Sequence, residues 1–517
     1  MLILSAARCR MKGSITVFMS LTLMIIAALL FTLLESGRVH GMKGLSRLTA
    51  DSAMESLFSR YSDWIFNNYD IFLLDASFGG EGLSISGLDG VLQDYSARNL
   101  DPTDATLFKD GVNFYRMKAL GADITDFLLA SDYGGEAFLR MVCEQNRFMI
   151  GMDSAGELYE RLTGQRNSIS DISDMETIID ESTGEVDELI REKREDDDEE
   201  YEYEYDGDEP EETVDNPVDT VKEIMTKDIL TLVLPKGKTL SAKELKVSET
   251  MEKREINSGT MEDVYEDNLL NIVFFDQYIN THLRCYSDGE DESDISHALD
   301  YEIEYIMGGN MSDRDNLMSV VTELMLIREG ANFLYLQSDT VKRRSCLALA
   351  ASILAPTGVG EAGAVILQQA LLAAWAFVES VMDIRALLAG RRIDWMKTSL
   401  TWTSDIDSIA EAVTGGLMSE DAPEGDDYRA YLEKLIYLGN VNTNAFRVLE
   451  IIEANYRRVE GHENFRIDNC LIAAKAELEY KGDQLFLSFV PYLYGDTDYG
   501  SFHIDTEYHY KGAKGGT

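Results

Sequence analysis

The sequence predicts an α+β protein: a long N-terminal transmembrane helix carries a large mixed helical and antiparallel-sheet ectodomain, interrupted by a disordered acidic insertion. Three observations lead there. Residues 15–34, ITVFMSLTLMIIAALLFTLL, contain no charge, no proline and no glycine. Residues 195–212 carry thirteen acidic side chains and no basic one. From Cys470 onward the apolar pattern alternates in three runs, Cys470 to Tyr480, Leu485 to Val490 and Ser501 to Tyr510, separated by Lys481-Gly482-Asp483 and Tyr494-Gly495-Asp496.

The apolar run comes first. At a rise of about 1.5 Å per residue, twenty helical residues cover about 30 Å, the hydrocarbon thickness of a bilayer. Arg8, Arg10 and Lys12 precede it, and Glu35, Arg38, Lys43 and Arg47 follow it. The basic residues are almost evenly divided, so the short leading segment and its first-helix position add to the weak charge signal for a cytoplasmic N-terminus. This reading makes residues 1–13 a short cytoplasmic leader and places the bulk of a single-pass chain outside the cytoplasm. A cleaved secretory signal has a shorter apolar core ending in a small-x-small site, whereas this core runs into Glu35-Ser36-Gly37. Leu45, Leu48, Ala53, Leu57, Tyr61, Trp64 and Ile65 recur at roughly helical spacing, which extends the stem over 14–67.

Asn67-Asn68 then ends the stem, and residues 69–75 read as a strand. A helix near 88–99, a strand over 114–120 closed by Gly121, and a helix over 137–162 complete a first lobe, 68–180. Residues 181–221 are expected to be a flexible acidic insertion, because like charges at this density oppose compaction. A second lobe, 222–517, opens with a strand at 229–234 stopped by Pro235. A helix over 265–283, a strand over 299–306, a helix from Asp313 and a further helical stretch over 331–342 follow. Two apolar runs come next: Cys346 to Ala355 is short, and Ala362 to Val378 holds Gln368 and Gln369 between Glu361 and Glu379. Neither spans a bilayer comfortably, so they read as a buried helical pair, with Asp383 and Arg385 as a helix-end ion pair or surface charges. Helices starting at Asp427 and over 444–458 precede the closing strands.

Composition bounds the partners. The chain of 517 residues has 93 acidic and 46 basic side chains and a formal net charge of −47, which makes nucleic acid a poor partner. Its five cysteines, at 9, 143, 285, 346 and 470, have no metal-site or CxxC spacing. HExxH, P-loop, GxGxxG and GxSxG patterns do not occur, so no catalytic residue, cofactor or metal is expected and the chain does not read as an enzyme. His503, Asp505, Glu507 and His509 would share one face of the last strand. Residues six apart on an extended strand are about 20 Å apart, too far for both histidines to hold one ion, so a hydrated strand face is expected.

Lys12-Gly13-Ser14, directly followed by the apolar helix from Ile15, resembles the processing site of type IV prepilins and of the pseudopilins of tight-adherence (Tad) systems. The resemblance implies a prepilin-type peptidase that cuts between Gly13 and Ser14 and leaves a pilin-like helix on the mature protein. Where most pilins carry a glutamate, this chain has Phe18; along the membrane stem from Ile15 to Leu34 the nearest following carboxylate is Glu35.

Further segments, LLESGRVHG, SAMESLF, YDIFLLD, EYIMGGNMSDRDNLMSVV, IREGANFLYL, AWAFVESVMDIRALLAG and FRIDNC, are similar to the DUF5702-type family of membrane-anchored proteins from Firmicutes, related to the TadE/TadG-like pseudopilins of tight-adherence (Flp-type) pilus systems. This likeness implies a pseudopilin-like structural component, a minor or tip subunit, of a Tad-type pilus or secretion apparatus. Its implied partners are the lipid bilayer, a prepilin-type peptidase and other pseudopilins or Tad assembly proteins. The alternatives are a free-standing membrane-anchored surface adhesin or envelope scaffold, and a cell-envelope enzyme.

Overall fold

In the computed structural model, residues 3–80, 82–100, 115–150, 175–200, 216–246, 250–262, 270–289, 296–483, 485–486 and 500–511 are described. The chain forms two compact units, residues 1–141, 256–265 and 462–517 in the first and residues 142–255 and 266–461 in the second.

The first unit is built on α1 (Ile3–Phe58), a helix of 56 residues and so about 84 Å long. Its apolar first half is exposed from Ile15 to Leu34, and its second half buries a stripe at Glu35, Arg38, Met42, Ser46, Ala50, Ala53, Leu57 and Phe58. Apart from the adjacent Leu57 and Phe58, steps of three and four keep these residues on one face. The expected stem to residue 67 is interrupted: α1 ends at Phe58, and α2 (Asp63–Tyr69) starts afresh where the Ser62 side chain accepts the Ile65 N–H. That serine satisfies a donor that helix initiation leaves open. The apolar periodicity across the break instead serves an aromatic cluster, in which Tyr61 packs edge-on against Phe66 and Phe72.

The strand expected over 69–75 contracts to β1 (Leu74–Asp75), and α3 (Ile85–Leu100) lies where a helix was expected. β2 (Met117–Leu129) runs through Gly121 instead of stopping there. The register shifts between Ala119 and Gly121, leaving Leu120 as the extra residue of a bulge. β3 (Cys470–Gly482) is the central strand, antiparallel to β1, to β2 and to β4 (Ser501–His509). The closing strands therefore belong with the N-terminal lobe rather than with 222–461; local patterning carries no signal for a pairing between Met117 and Gly482. Of the strand expected over 485–490, residues 487–490 lie outside the described residues. α1 packs on α3 and on β4, where the Thr506 hydroxyl donates to Asp51 at 2.8 Å. α4 (Glu136–Ile150) follows β2, and residues 151–162 of the helix expected there lie outside the described residues.

The second unit is helical: α5 (Met175–Glu200), α6 (Pro217–Met225), α7 (Ile229–Val233), α8 (Leu270–His282), α9 (Glu302–Gly308), α10 (Asp313–Ser338), α11 (Thr340–Leu354), α12 (Gly360–Leu388), α13 (Ile409–Thr414), α14 (Tyr428–Leu438) and α15 (Val441–Tyr456). α12 is its axis, flanked by α5, α10 and α11. Its most apolar window is 83% buried, so the run from Ala362 is a core helix rather than a second membrane crossing; the run from Cys346, expected as its buried partner, buries Cys346, Ala350 and Leu354 of α11 and leaves Ala348, Ala351 and Ser352 exposed.

Three expectations change here. The segment read as a flexible insertion begins as α5, which buries Met175, Ile179 and Val186 on one side, while the acids between Glu176 and Glu192 are exposed. It ends in α6, capped by the Asn216 side chain with Pro217 at the first helical position; its centre, residues 201–215, lies outside the described residues. The strand expected at 229–234 is α7, whose N-terminus is capped by Asp228. The strand expected over 299–306 gives way to α9: Tyr301-Glu302-Ile303-Glu304-Tyr305 alternates like a half-exposed strand, but the acids are buried as well as the apolar residues. The helical stretch expected over 331–342 is divided at Asp339, whose carboxylate accepts the Val341 and Lys342 N–H groups to start α11.

Candidate functional site

The apolar part of the expected stem, from Ile15 to Leu34, lies within α1. Ile15, Phe18 and Leu34 are 59%, 70% and 51% exposed on α1, an unfavourable state for such side chains in water and the favoured one in lipid. Gly13 and Ser14 belong to the same helix. At Glu35 the environment changes, because this carboxylate is only 2% exposed. Its Oε1 accepts from Arg38 Nη2 at 2.8 Å and its Oε2 accepts the Phe486 N–H at 3.1 Å. Arg38 also donates to the carbonyls of Tyr115, at 2.7 Å, and Asp483. Glu35 thus clamps the folded unit to the helix where the apolar run ends. The chain is a single-pass membrane-anchored protein with its bulk extracytoplasmic.

On β4, His503, Asp505, Glu507 and His509 all project to one exposed side. His503 Nδ1 lies 3.1 Å from Glu477 and 3.4 Å from Glu479 across the strand pair. Among the described residues no group of three or more histidine, cysteine or acidic side chains is arranged to hold a metal ion.

Two charged assemblies in the helical unit were not read from the sequence. The first is buried around α12, where Asp383 Oδ2 accepts from Arg328 Nη2 at 2.8 Å and Oδ1 lies 2.7 Å from Lys397 Nζ. Lys397 also pairs with Glu379, which accepts the N–H groups of Thr403 and Ser404 at 3.0 and 2.9 Å. Asn332, Ser419 and Tyr431 complete the shell. Asp383 is thus neither a surface charge nor a partner of Arg385, which donates to the carbonyls of Leu232, Val413 and Leu417. Two cations balance two carboxylates, an arrangement that cross-links α10, α12 and the loop after it. The available signal was the placement of Glu379 and Asp383 in an otherwise apolar helix, since buried charges need partners.

The second assembly floors a polar cleft of about 600 Å³, lined among others by Ser241, Lys243, Arg284, Tyr286, His297 and Tyr301. Beneath it Asp313 accepts from the Ser241 hydroxyl at 2.5 Å and from the N–H groups of Asp300 and Tyr301. Glu302 takes His297 Nδ1 at 2.8 Å and Asn455 Nδ2 at 2.6 Å. Glu304 accepts the Tyr286 N–H and the Tyr428 hydroxyl, both at 2.9 Å, and burial pushes its carboxyl up to about 7. The Tyr286 hydroxyl and Glu304 Oε2 are buried without a hydrogen-bond partner. The Ser241 hydroxyl is held by Asp313 and His297 Nδ1 is held by Glu302, so these bonds order the cleft walls and do not pair the serine with the histidine.

The profile of a family described as "Family of unknown function (DUF5702)" matches residues 207–482. That stretch contains the cleft, the buried charges and β3 but begins well after α1. No curated protein and no solved structure matches the chain.

Proposed function

We propose, from the premise that this chain belongs to the DUF5702 family, that it is a pseudopilin-like structural component of a Tad-type pilus or secretion apparatus, acting by packing and not by catalysis. The observation that supports this is the division of labour along α1: one unbroken helix offers an apolar half to the membrane and a second half to the core of its own head. A pilin-like stem has that architecture. The large head, and Phe18 in place of the glutamate most pilins carry, favour a minor or tip subunit over a repeating one. In this reading the partners are the lipid bilayer, a prepilin-type peptidase acting between Gly13 and Ser14, and other pseudopilins or Tad assembly proteins.

Mass spectrometry of the mature N-terminus, combined with pull-down of the native membrane protein, tests the proposal. A chain beginning at Ser14 and recovered with pilus proteins supports it; an intact Gly13–Ser14 bond in cells with active peptidase refutes it. The polar cleft with its unpartnered Tyr286 hydroxyl favours a second reading, a free-standing surface adhesin or scaffold. That reading predicts membrane retention without co-purifying pilus components.

A further inference from the structure

The connection after β3 reaches back along α1 past the point where the folded unit begins. Phe486 stacks on Phe31 with ring centroids 6.0 Å apart and planes inclined by 14°. Phe31 belongs to the apolar run, four residues before Glu35 and so about 6 Å deeper along the helix axis. Leu33 and Leu34 beside it are 62% and 51% exposed, so away from Phe31 this level of α1 is left open by the described residues.

We propose that the first unit makes a second contact with the bilayer here, placing the Phe486 ring among the outer acyl chains beside the span. The inference rests on α1 as the membrane anchor and is independent of the pilus assignment. Three features fit lipid as the occupant. A chain excursion into hydrocarbon must have its backbone polar groups satisfied, and the Phe486 N–H is held by Glu35 at 3.1 Å. Glu35 and Arg38 neutralise each other at the boundary, and Arg38 also donates to two carbonyls. The Phe486 ring is only half-buried where it stacks on Phe31, which leaves apolar surface for acyl chains to cover. Such a contact would fix the height of the first unit above the bilayer at two points instead of one.

The test uses the full chain reconstituted in phosphatidylcholine–phosphatidylglycerol vesicles, with Cys9→Ser in every variant and a nitroxide on a single introduced cysteine. Phe486→Cys is compared with Leu33→Cys as the lipid reference and with Leu48→Cys, 67% exposed and beyond the clamp, as the aqueous reference. Collision rates with oxygen and with a water-soluble nickel chelate are measured at each position. A label at 486 that follows Leu33, with oxygen collisions several-fold above nickel, supports the inference. A label that follows Leu48 overturns it in favour of water, and one shielded from both reagents overturns it in favour of protein, such as a second copy of the stem. A Leu33 label reporting water would instead remove the anchor reading itself. Because a cysteine loosens the aromatic pair, Phe486→Trp provides an independent measurement: brominated lipid should quench its added fluorescence relative to the parent chain, and absence of added quenching overturns the inference.

Discussion

Replacing Asp383 by alanine isolates the energetic role of the charges around α12. The substitution removes the acceptor of Arg328 at 2.8 Å, of Lys397 at 2.7 Å, of Asn332 at 3.0 Å and of the Ser419 hydroxyl at 2.6 Å. The side chains of Arg328 and Lys397 are 0% and 1% exposed, and Glu379 would remain as the one carboxylate between them. Breaking a buried pair from one side in this way costs about 3–5 kcal/mol, a large share of the roughly 5–15 kcal/mol that holds a typical domain together. Urea unfolding of the full chain in detergent, followed by far-ultraviolet circular dichroism, should show the midpoint of the helical unit lowered by about 1–2 M for a slope near 2–3 kcal/mol per M. The double variant Arg328→Met/Asp383→Leu should recover much of the loss, because it removes the uncompensated charge as well as the pair. A single-variant loss below about 1 kcal/mol, or a double variant no better than the single, would refute this account. The pH dependence follows from the same contacts. Burial alone would raise the Asp383 carboxyl, but Lys397 and Arg328 override it and hold it down to about 2, from an ordinary 3.8. Its stabilising contribution is therefore present above pH 3.8 and disappears as the pH falls towards 2.

Glu304 has the opposite sign. Its folded carboxyl titrates near 7 instead of 4.5, so its contribution is fully favourable below 4.5 and is lost as the pH rises through 7; Glu304→Gln should flatten melting temperatures measured across that window. Glu35→Ala leaves Arg38 buried without its carboxylate and should cost about 3–5 kcal/mol by urea unfolding, with Arg38→Met added to recover part of it. Asp339→Ala removes the cap that accepts the Val341 and Lys342 N–H groups. It should lower stability by about 1 kcal/mol, read as an earlier thermal midpoint, without changing the helices on either side.

What the sequence revealed depended on how local the relevant interaction is. The anchor, the core character of α12 and the helices from Tyr428 and Val441 follow from composition and period over a few turns. α9 alternates like a strand with Glu302 and Glu304 on its wet side, yet both accept hydrogen bonds inside the unit, Glu302 from Asn455 and Glu304 from Tyr428. α5 was misread because its acids outweighed three apolar residues, Met175, Ile179 and Val186, whose spacing was the true signal. The site shows the same limit. Glu35 was legible as the end of the apolar run, but its contact with Phe486 is 451 positions away in sequence, and the cleft gathers residues from three separate segments.

The clamp at Glu35 also restricts how the stem could meet neighbouring stems. Beyond it, one face of α1 is already occupied by α3 and β4, while the open face presents His40, Lys43 and Arg47 to water. A second stem laid against that face would have to desolvate charges along most of its length, whereas the residues between Ile15 and Leu34 offer apolar contact with no such cost. On the proposed pilus reading, lateral association through α1 is therefore expected within the bilayer, apart from the side occupied by Phe486. A subunit that binds others through one membrane turn-length after another, but not through its outer stem, is better placed at the end of an assembly than repeated along it. Disulfide scanning in native membranes can decide this. On the proposed pilus reading, pairs introduced between Val17 and Leu30 should cross-link to a neighbouring pseudopilin, and pairs at Lys43 and Arg47 should not; cross-links along the outer positions would mean that the stem packs over its whole length and that the end-position argument fails.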